Sequence, residues 1–387
     1  MSWDCAAFKF AMAGPDDMSG LEALFADGAV HAEDIVGVIA KTEGNGRVND
    51  FSRPLAHRCF RELIARASKR SAEETEAKVA FVMSGGCEGI ISPHATVFTR
   101  RQVDQRAAAG EKRFSVAMSS TRELLPEELG TEVQVRLVAD AVRAAMASAE
   151  IASTDDVHYV QVKCPLLTTE RINAARARGR RVVTEDTTRS LGFSNGASAF
   201  GIAVGLGEVS ADFDPRAICT DASIFTTRGA ASAGIELMNC QVLVMGNSAS
   251  SVSGYLIGHH RLDDLIDAEG VHAALRSVGI TETPTPRIVN VFAKGQVPLD
   301  GMVRGWRTTL LTDSDLNTRP ARAVLGTLVA SVVGDPAIYA SAGWGYHQGP
   351  TGGGVAAVIA SVAEPTSPAV SPPAARRSSP RKAARRR

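Results

Sequence analysis

The sequence predicts an α/β protein assembled from one unit that is repeated three times. Strand-like apolar segments alternate with amphipathic segments of helical period, which is the pattern of the α/β class. A lysine near the end of one strand and a serine near the end of a later strand recur, in that order, in each third of the chain. The 387 residues, 44% hydrophobic and 22% charged, have the composition of a globular protein with a large core.

The repeated lysine follows an apolar run in each third of the chain. The three runs are "EDIVGVIAKTEG" with Lys41, "VHYVQVKCPL" with Lys163 and "RIVNVFAKGQV" with Lys294. Because these lysines are 122 and 131 residues apart, the repeat is too long for a solenoid and suits a compact α/β module.

The repeated serine ends a second strand-like run and is followed by a small residue. The three runs are "VMSGGCEG" with Ser84 and Gly85, "GAASAGIELM" with Ser232 and Ala233, and "IYASAGWGY" with Ser341 and Ala342. Amphipathic helices are predicted between the strands, at "RPLAHRCFRELIARASKR", "LVADAVRAAMASAEI" and "RPARAVLGTLVASVV". We expect the units to span residues 1–104, 112–250 and 256–363, followed by a tail at 364–387.

A lysine paired with a serine is a known means of nucleophilic catalysis. A serine hydroxyl is a poor nucleophile at neutral pH unless a base takes its proton. A lysine amine can be that base once its pKa falls from about 10.4, which burial and nearby cations bring about. The repeated pair therefore predicts a serine nucleophile that is activated by a lysine base.

The small residue after each serine indicates a second role for the same positions. It leaves the peptide N–H unshielded, so the hydroxyl and the N–H together can bind one carbonyl oxygen as an oxyanion hole. Three such oxyanion holes predict a ligand with three carbonyl groups. A ring of near-threefold symmetry fits this arrangement best. The alternative is that the lysines are exposed charges at strand ends and the serines lie in ordinary turns. The same order of lysine and serine would then have arisen three times by chance.

The remaining features restrict cofactors, location and partners. The six cysteines have no CxxC pair, which argues against a zinc site and a disulfide framework. The N-terminus has no basic region and no apolar run approaches the length of a membrane span, so we expect a cytoplasmic protein without membrane contact. The tail from Glu364 has seven basic residues but no aromatic residue for base stacking, which favours a solvated extension over a nucleic-acid arm.

Seven segments together resemble the ring-opening amidohydrolases, a family that comprises cyanuric acid hydrolases and barbiturases. They read "AKTEGNG" (40–46), "VMSGGCEG" (82–89), "VQVKCPLL" (160–167), "ASAGIEL" (231–237), "VNVFAK" (289–294), "LTDSDLNTR" (311–319) and "HQGPTGGG" (347–354). The similarity runs from about residue 5 to residue 363 and leaves out only the basic tail.

The resemblance implies a fold and a reaction. Three α/β units would be arranged with pseudo-threefold symmetry around a central barrel-like sheet core, and the site on the axis would hydrolyse one amide bond of a six-membered cyclic imide. The middle pair would do the chemistry, with Lys163 as base and Ser232 as nucleophile, and the outer pairs would bind the other two carbonyl groups. Family arginines that contact the ring correspond to Arg53 and Arg322. Family members form tetramers, and we expect a homotetramer here.

One departure from the family pattern bears on the substrate. Cyanuric acid hydrolases have an arginine in an "SRGASA"-like segment, whereas this chain reads "FSNGASAFG" with Asn195, a neutral amide in place of a planar cation. One residue is also missing in "SDLNTRPAR" and one is added in "SAGWGYHQG". We therefore expect barbiturate, opened to ureidomalonate, with cyanurate as the alternative substrate. The rival class is a noncatalytic protein that binds a small molecule.

A second departure concerns a metal ion. The family carries a structural divalent ion held by a glutamate two residues after the third lysine and by groups around the "HQGP" turn. This chain has Gln296 in place of the glutamate, and the other candidate ligands are Gly345, Gln348, Gly349, Pro350 and Gly353. Hard cations such as Mg²⁺ and Ca²⁺ prefer carboxylates. A structural Mg²⁺ or Ca²⁺ would have to be held by neutral oxygens alone, and catalysis is expected to need no cofactor.

Two glutamates follow a repeated serine by four residues. They are Glu88 and Glu236, and each is a candidate for orienting a lysine or a ring N–H.

Overall fold

The computed structural model describes residues 1–311, 319–343 and 345–364, whose strands form three four-stranded sheets and one short hairpin. The tail from residue 365, residue 344 and most of the predicted "LTDSDLNTR" segment lie outside the described residues. No helix within the described ranges is both long and apolar enough to cross a membrane.

Each sheet takes its strands from one consecutive stretch of the chain. The first stretch contains β1 (Ser2–Ala11), α1 (Ser19–Ala26), β2 (Ile35–Thr42), α2 (Ser52–Ser68), α3 (Ala72–Lys78), β3 (Ala80–Gly85) and β4 (His94–Val103). The second contains β5 (Arg113–Ser120), α4 (Glu132–Ser148), β6 (Val157–Pro165), α5 (Thr169–Ala177), α6 (Thr187–Gly205), β7 (Gly229–Gly234) and β8 (Gln241–Ser248). The third contains β9 (Tyr255–Leu262), α7 (Ala268–Arg276), β10 (Ile288–Gln296), β11 (Met302–Val303), β12 (Trp306–Arg307), α8 (Arg319–Val333), β13 (Tyr339–Gly343) and β14 (Gly354–Ser361).

The three sheets have the same strand order. Each runs first strand, last strand, second strand, third strand: β1-β4-β2-β3, β5-β8-β6-β7 and β9-β14-β10-β13. The second and third strands are parallel and the other pairs are antiparallel. The predicted α/β architecture of three repeated units is thereby confirmed, while the predicted limits of the units stay a prediction.

The parallel pair of each sheet places the repeated lysine directly opposite the repeated serine. The partners in register are Lys41 and Ser84, Lys163 and Ser232, and Lys294 and Ser341. Since side chains at paired positions of parallel strands lie on the same face, each lysine is directed to the same side of its sheet as its serine.

The core lies between the three sheets and is covered by helices on their outer sides. A central cluster draws buried side chains from all three sheets, among them Val82, Tyr159, Leu243, Phe292 and Ile359. Three further clusters lie between one sheet and its own helices. Burial on both faces explains why the lysine-bearing strands read as continuous apolar runs.

The helix α6 was not predicted from the sequence. It is rich in Gly, Ala and Ser and is buried along most of its length, so it lacks the polar face that marks an amphipathic helix. Asp186 caps it by accepting from the N–H groups of Thr188 and Arg189. A Cβ at Gly201 would lie 2.7 Å from Val138 of α4, so the small residues permit close packing of α6 on α4.

Candidate active site

A small cavity lies where β3, β7 and β13 end. Ten residues predicted from the sequence line it together: Arg53, Ser84, Gly85, Asn195, Ser232, Ala233, Lys294, Arg322, Ser341 and Ala342. Its volume is about 90 Å³, far below the ~300–1,000 Å³ of sites for drug-sized ligands. The cavity is therefore suited to a single small molecule.

The three repeated lysines are buried, and the outer two contact their own serines. Lys41 Nζ lies 3.4 Å from Ser84 Oγ, and Lys294 Nζ lies 3.3 Å from Ser341 Oγ. Lys294 also lines the cavity, whereas Lys41, predicted to bind the ligand, is not among its lining residues. Lys41 and Lys163 are both fully buried and absent from the lining, and the hydrogen bond of Lys41 to Ser84 Oγ connects it to the cavity wall.

The middle lysine has different partners. Lys163 Nζ lies 2.6 Å from Glu236 Oε1 and donates to the carbonyl oxygen of Met83 at 2.7 Å. Within the described part of the chain, no hydrogen bond joins Lys163 to Ser232. The predicted direct contact of this pair is therefore not seen, because the carboxylate and the carbonyl hold the ammonium group, although the register keeps the two residues opposite.

The lysines also connect neighbouring units. Lys163 of the second unit donates to Met83, the residue before Ser84, and Lys294 of the third unit donates to Ala231, the residue before Ser232, at 3.0 Å. Lys294 therefore bridges its own serine strand and that of the preceding unit, and Lys163 bridges the loop after its own serine strand, at Glu236, and the serine strand of the preceding unit. This arrangement brings the serine-bearing strand ends around one cavity.

Two arginines approach the cavity from helix starts and cross between units. Arg53, near the start of α2, donates through Nη1 to the carbonyl oxygen of Ala233 at 2.6 Å. Its Nε lies 3.6 Å from the buried carboxylate of Asp50. Arg322, near the start of α8, forms a two-point ion pair with Glu88 at 2.6 and 2.8 Å.

Asn195 lies on α6 and supplies the cavity with a neutral side chain. It is 8% exposed, and its Oδ1 accepts from Cys164 Sγ at 3.7 Å. The basic side chains that line the cavity are Arg47, Arg53, Lys294 and Arg322, and no acidic side chain is among the described lining residues. This charge distribution favours a ligand that carries negative charge on its oxygens.

Burial shifts the lysine pKa values toward the neutral amine. It lowers the pKa of Lys41 to about 8 and, with help from Arg322 and Lys41, the pKa of Lys294 to about 7. Burial also lowers the pKa of Lys163, although Glu236 opposes the shift. Burial disfavours the Glu236 carboxylate, yet Lys163 and Arg53 hold its pKa below the usual value.

The expected metal ligands are neutral oxygens around one turn of the third unit. Gln296 and Gln348 are each 2% exposed, and their side-chain oxygens have no hydrogen-bond partner among the described residues. Two buried, unpartnered oxygens fit an oxygen-binding cation, although no carboxylate accompanies them. His347 is already engaged, since Nε2 accepts from the N–H of Cys219 and Nδ1 donates to the carbonyl of Ile224.

The other candidate ligands belong to the same turn. Carbonyl oxygens of Gly345, Gly349, Pro350 and Gly353 are the remaining candidates to complete such a set. No group of three or more His, Cys, Asp or Glu side chains suited to a metal occurs within residues 1–311, 319–343 and 345–364.

Sequence reasoning missed several residues of the cavity wall. They are Gly46, Arg47, Thr188, Leu191, Ala231 and Gly343. Thr188 and Leu191 precede Asn195 by seven and four residues, so they share its face of α6. This spacing would have indicated that both residues line the cavity if the helix had been predicted. Asp50, which accepts from the N–H groups of Gly46 and Ser52, was not distinguishable from a surface acid in the sequence.

Comparisons with known proteins agree with the motif resemblance. The family model described as amidohydrolase ring-opening protein matches residues 6–361. A cyanuric acid amidohydrolase of Bradyrhizobium diazoefficiens is 48% identical over 363 residues, covering 92% of this chain and 98% of the relative. A cyclic amide hydrolase of Azorhizobium caulinodans is 46% identical over 359 residues, covering 91% of this chain and 98% of the relative.

Two solved structures share the fold throughout. A cyanuric acid hydrolase described as evolutionary innovation by structural concatenation superposes with a TM-score of 0.89 at 46% identity, covering 93% of this chain and 100% of that one. The cyanuric acid hydrolase of A. caulinodans gives a TM-score of 0.87 at 43% identity, covering 93% and 99%. The chain therefore belongs to the ring-opening amidohydrolase family and is a hydrolase that acts on C–N bonds of cyclic amides.

Proposed function

We propose that this protein opens the ring of cyanurate by hydrolysis of one amide bond, giving carboxybiuret and then biuret and CO₂. The observation that carries this proposal is the set of three lysine–serine pairs, each in register, whose strand ends surround one small cationic cavity. Cyanurate has threefold symmetry and three carbonyl groups, so each serine meets one carbonyl. Relatives at 48% identity that are named cyanuric acid amidohydrolases support this substrate over the expected barbiturate.

The middle pair is assigned the chemistry. Ser232 Oγ attacks a ring carbonyl, and its proton passes to the neutral amine of Lys163. The lysine then gives the proton to the ring nitrogen as the C–N bond breaks, which leaves an acyl-enzyme on Ser232. Water then attacks the acyl carbonyl as Lys163 takes its proton. The lysine returns this proton to Ser232 Oγ, which frees the serine.

The rest of the cavity binds the ring and stabilises negative charge. Ser84 and Ser341, with the small residues that follow them, hold the two carbonyl groups that do not react. Arg53, Arg322 and Lys294 favour the charge that develops on the oxygens in the transition state. Because their ion pairs and backbone contacts fix the arginines before a ligand arrives, little reorganisation is required.

Barbiturate is the second candidate, and Asn195 is the observation that favours it. Barbiturate keeps three carbonyl groups but has a methylene in place of one ring N–H. A neutral amide that lines the cavity together with Arg53 and Arg322 suits a ring that has lost its threefold symmetry.

The substrate test compares kcat/KM of the purified protein for both rings. We expect cyanurate to be preferred, and a preference for barbiturate would assign the second function. The loss of ultraviolet absorbance of barbiturate and the release of biuret from cyanurate are separate readouts. A protein that binds either ring without opening it would be the noncatalytic alternative.

Asn195→Arg is the matching variant, with Asn195→Gln as the control that stays neutral. If Asn195 adapts the cavity to the less symmetric ring, the arginine should shift the kcat/KM ratio toward cyanurate by about tenfold, close to the effect of one charge-assisted hydrogen bond. The glutamine should leave the ratio within about twofold.

Four further expectations accompany this function. A cation held by Gln296, Gln348 and carbonyl oxygens of the 345–353 turn would stiffen the turn and supply no chemistry to ring opening. A homotetramer and a cytoplasmic location are predicted as well. Salt-sensitive binding of nucleic acid that is lost on removal of residues 364–387 would contradict the view of the tail as a solvated extension.

A further inference from the structure

Glu236 is a buried carboxylate directed at the middle lysine. Its side chain is 3% exposed and Oε1 lies 2.6 Å from Lys163 Nζ. A Cβ at Gly234 would overlap this carboxylate, so the glycine permits Glu236 to fold back over the strand end. Arg171 donates to the carbonyl oxygens of Ile235 and Leu237, at 2.9 and 3.2 Å, and so fixes both neighbours of Glu236.

Neither of the other units repeats this contact. Glu88 has the same position after Ser84, but its carboxylate is engaged by Arg322. The corresponding residue after Ser341 is Gly345, which has no side chain. Of the lysines in the three described pairs, Lys163 is thus the one whose amine contacts a carboxylate.

We propose that Glu236 is a positioning residue that holds Lys163 in place and sets its protonation state for ring opening. The inference rests on the proposed function, because it assigns Lys163 the role of base. Lys163 and Glu236 together are neutral as ammonium and carboxylate, and equally neutral as amine and carboxylic acid. Moving one proton from Nζ to Oε1 therefore produces the amine without leaving a net charge in a buried site.

The proton count closes over the cycle. The amine takes the proton of Ser232 Oγ as the new C–O bond forms, and the ammonium returns it to the ring nitrogen as the C–N bond breaks. In the second half, the amine takes a proton from water and returns it to Ser232 Oγ. Glu236 holds the proton that it received from Lys163 throughout the cycle and returns it to the amine only after Ser232 is free again.

The charged and titratable groups around this pair determine the direction of the expected effect. They are Arg53 on α2, Arg171 on α5, Cys164 on β6 and, beyond Cys164, Lys294 on β10. Arg53 and Arg171 face Glu236, and Arg53 faces Lys163 as well. Without the carboxylate, Arg53 still favours the amine of Lys163, but no carboxylate beside it can take its proton, so forming the amine then requires release of a proton from the pair.

The test is the pH dependence of kcat on cyanurate for the wild type, Glu236→Gln and Glu88→Gln. Because kcat reports groups in the enzyme–substrate complex, its acidic limb follows the Lys163–Glu236 pair and not the free ring. In the wild type this pair holds one proton in both its charged and its neutral form, so the limb reports uptake of a second proton, which the lowered pKa of Glu236 places at low pH. In Glu236→Gln the limb reports the ammonium group of Lys163 itself, so it should move up by about one pH unit or more, and kcat should fall at least about tenfold with KM within about twofold. Glu88→Gln should raise KM, since Arg322 loses its partner, and leave the limb in place. A limb that stays in Glu236→Gln, or that moves equally in both variants, overturns the proposal.

A second measurement separates this inference from the proposed function. If the wild type opens no ring, the function fails, and the pair is then tested by the Tm of Lys163→Met with and without Glu236→Gln. Lys163→Met leaves a buried carboxylate unpaired and should lower Tm, and adding Glu236→Gln should restore part of the loss. A further drop in Tm on adding Glu236→Gln would show that the two groups are not coupled and overturn the inference.

Discussion

The middle lysine–serine pair and the two outer pairs share a backbone frame but differ in what holds the lysine. In all three sheets the lysine lies opposite its serine on parallel strands. The outer lysines contact their serine hydroxyls, at 3.4 and 3.3 Å, whereas Lys163 is held by Glu236 and the carbonyl of Met83. The same strand register therefore supports different contacts of the lysine, depending on one neighbouring side chain.

The difference arises from the fourth residue after each serine. It is Glu88 in the first unit, Glu236 in the second and Gly345 in the third. Glu88 is drawn to Arg322 of the third unit, and Glu236 to Lys163 of its own unit. Repetition of the unit thus preserves the position of the hydroxyl groups, while single substitutions make the three sites unequal.

The largest expected effect is on turnover by the middle pair. Ser232→Ala should lower kcat by at least about 10³-fold, because it removes the nucleophile and not only a binding contact. Steady-state kinetics on cyanurate measure the loss, and circular dichroism checks the fold. Turnover within about tenfold of the wild type would place the nucleophile in another pair.

The next effect is on stability and contrasts Lys163 with Lys41. Lys163→Met leaves the Glu236 carboxylate buried without its partner and should lower the free energy of unfolding by about 3–5 kcal/mol. Lys41→Met removes a fully buried amine that has no carboxylate partner in the described structure, so it should cost far less or stabilise. Urea unfolding of both variants measures the difference. Equal losses would contradict the unequal environments of the two lysines.

A smaller effect is expected from the outer hydroxyls. Ser84→Ala and Ser341→Ala each remove one hydrogen bond to a charged ring oxygen, worth about 1.5–3 kcal/mol, and should lower kcat/KM roughly 10- to 100-fold. The two variants serve as controls for each other, since their sites are equivalent in the fold. If either abolished turnover as fully as Ser232→Ala, the division into one reacting and two binding pairs would be wrong.

The smallest effect is a pH dependence of stability from the outer lysines. Their folded pKa values, about 8 for Lys41 and about 7 for Lys294, lie below the value of about 10.4 for an unfolded chain. Unfolding therefore takes up protons above pH 7, and the free energy of unfolding should rise with pH between about 7 and 8.5, before cysteines ionise. The cost of burying the charged lysines is fully present below the folded pKa and is relieved as pH rises.

Variants assign this slope to its source. Lys41→Met and Lys294→Met should each reduce the slope of unfolding free energy against pH in the same window. An unchanged slope in both would mean that these lysines are not neutral in the folded protein.

The fold and the site were predictable from the sequence to different extents. The repeated segments around Lys41, Lys163 and Lys294 stand out because a charge at the end of an apolar strand is rare. The fold then places each lysine in register with the serine of the neighbouring parallel strand. The helix α6 did not stand out, since burial along most of its length removes the polar face. The contact between Lys163 and Glu236 depends on how the loop after β7 turns, which no local pattern encodes.

Contacts between residues that are far apart in the sequence were also not predictable. Arg322 and Glu88 are 234 residues apart, and Arg53 and Ala233 are 180 residues apart. The motifs placed these residues in the site, but only the closed arrangement of three units determines which pairs meet. The preference for cyanurate or barbiturate is even harder to predict from the sequence, because it depends on what Asn195 contacts within the cavity.

The most direct test of the central claim is to identify the serine that carries the acyl group. Rapid acid quenching during turnover of cyanurate, followed by peptide mass spectrometry, should find the adduct on the peptide that contains Ser232. The peptides with Ser84 and Ser341 should be unmodified. An adduct on either outer serine would contradict the assignment of the chemistry to the middle pair.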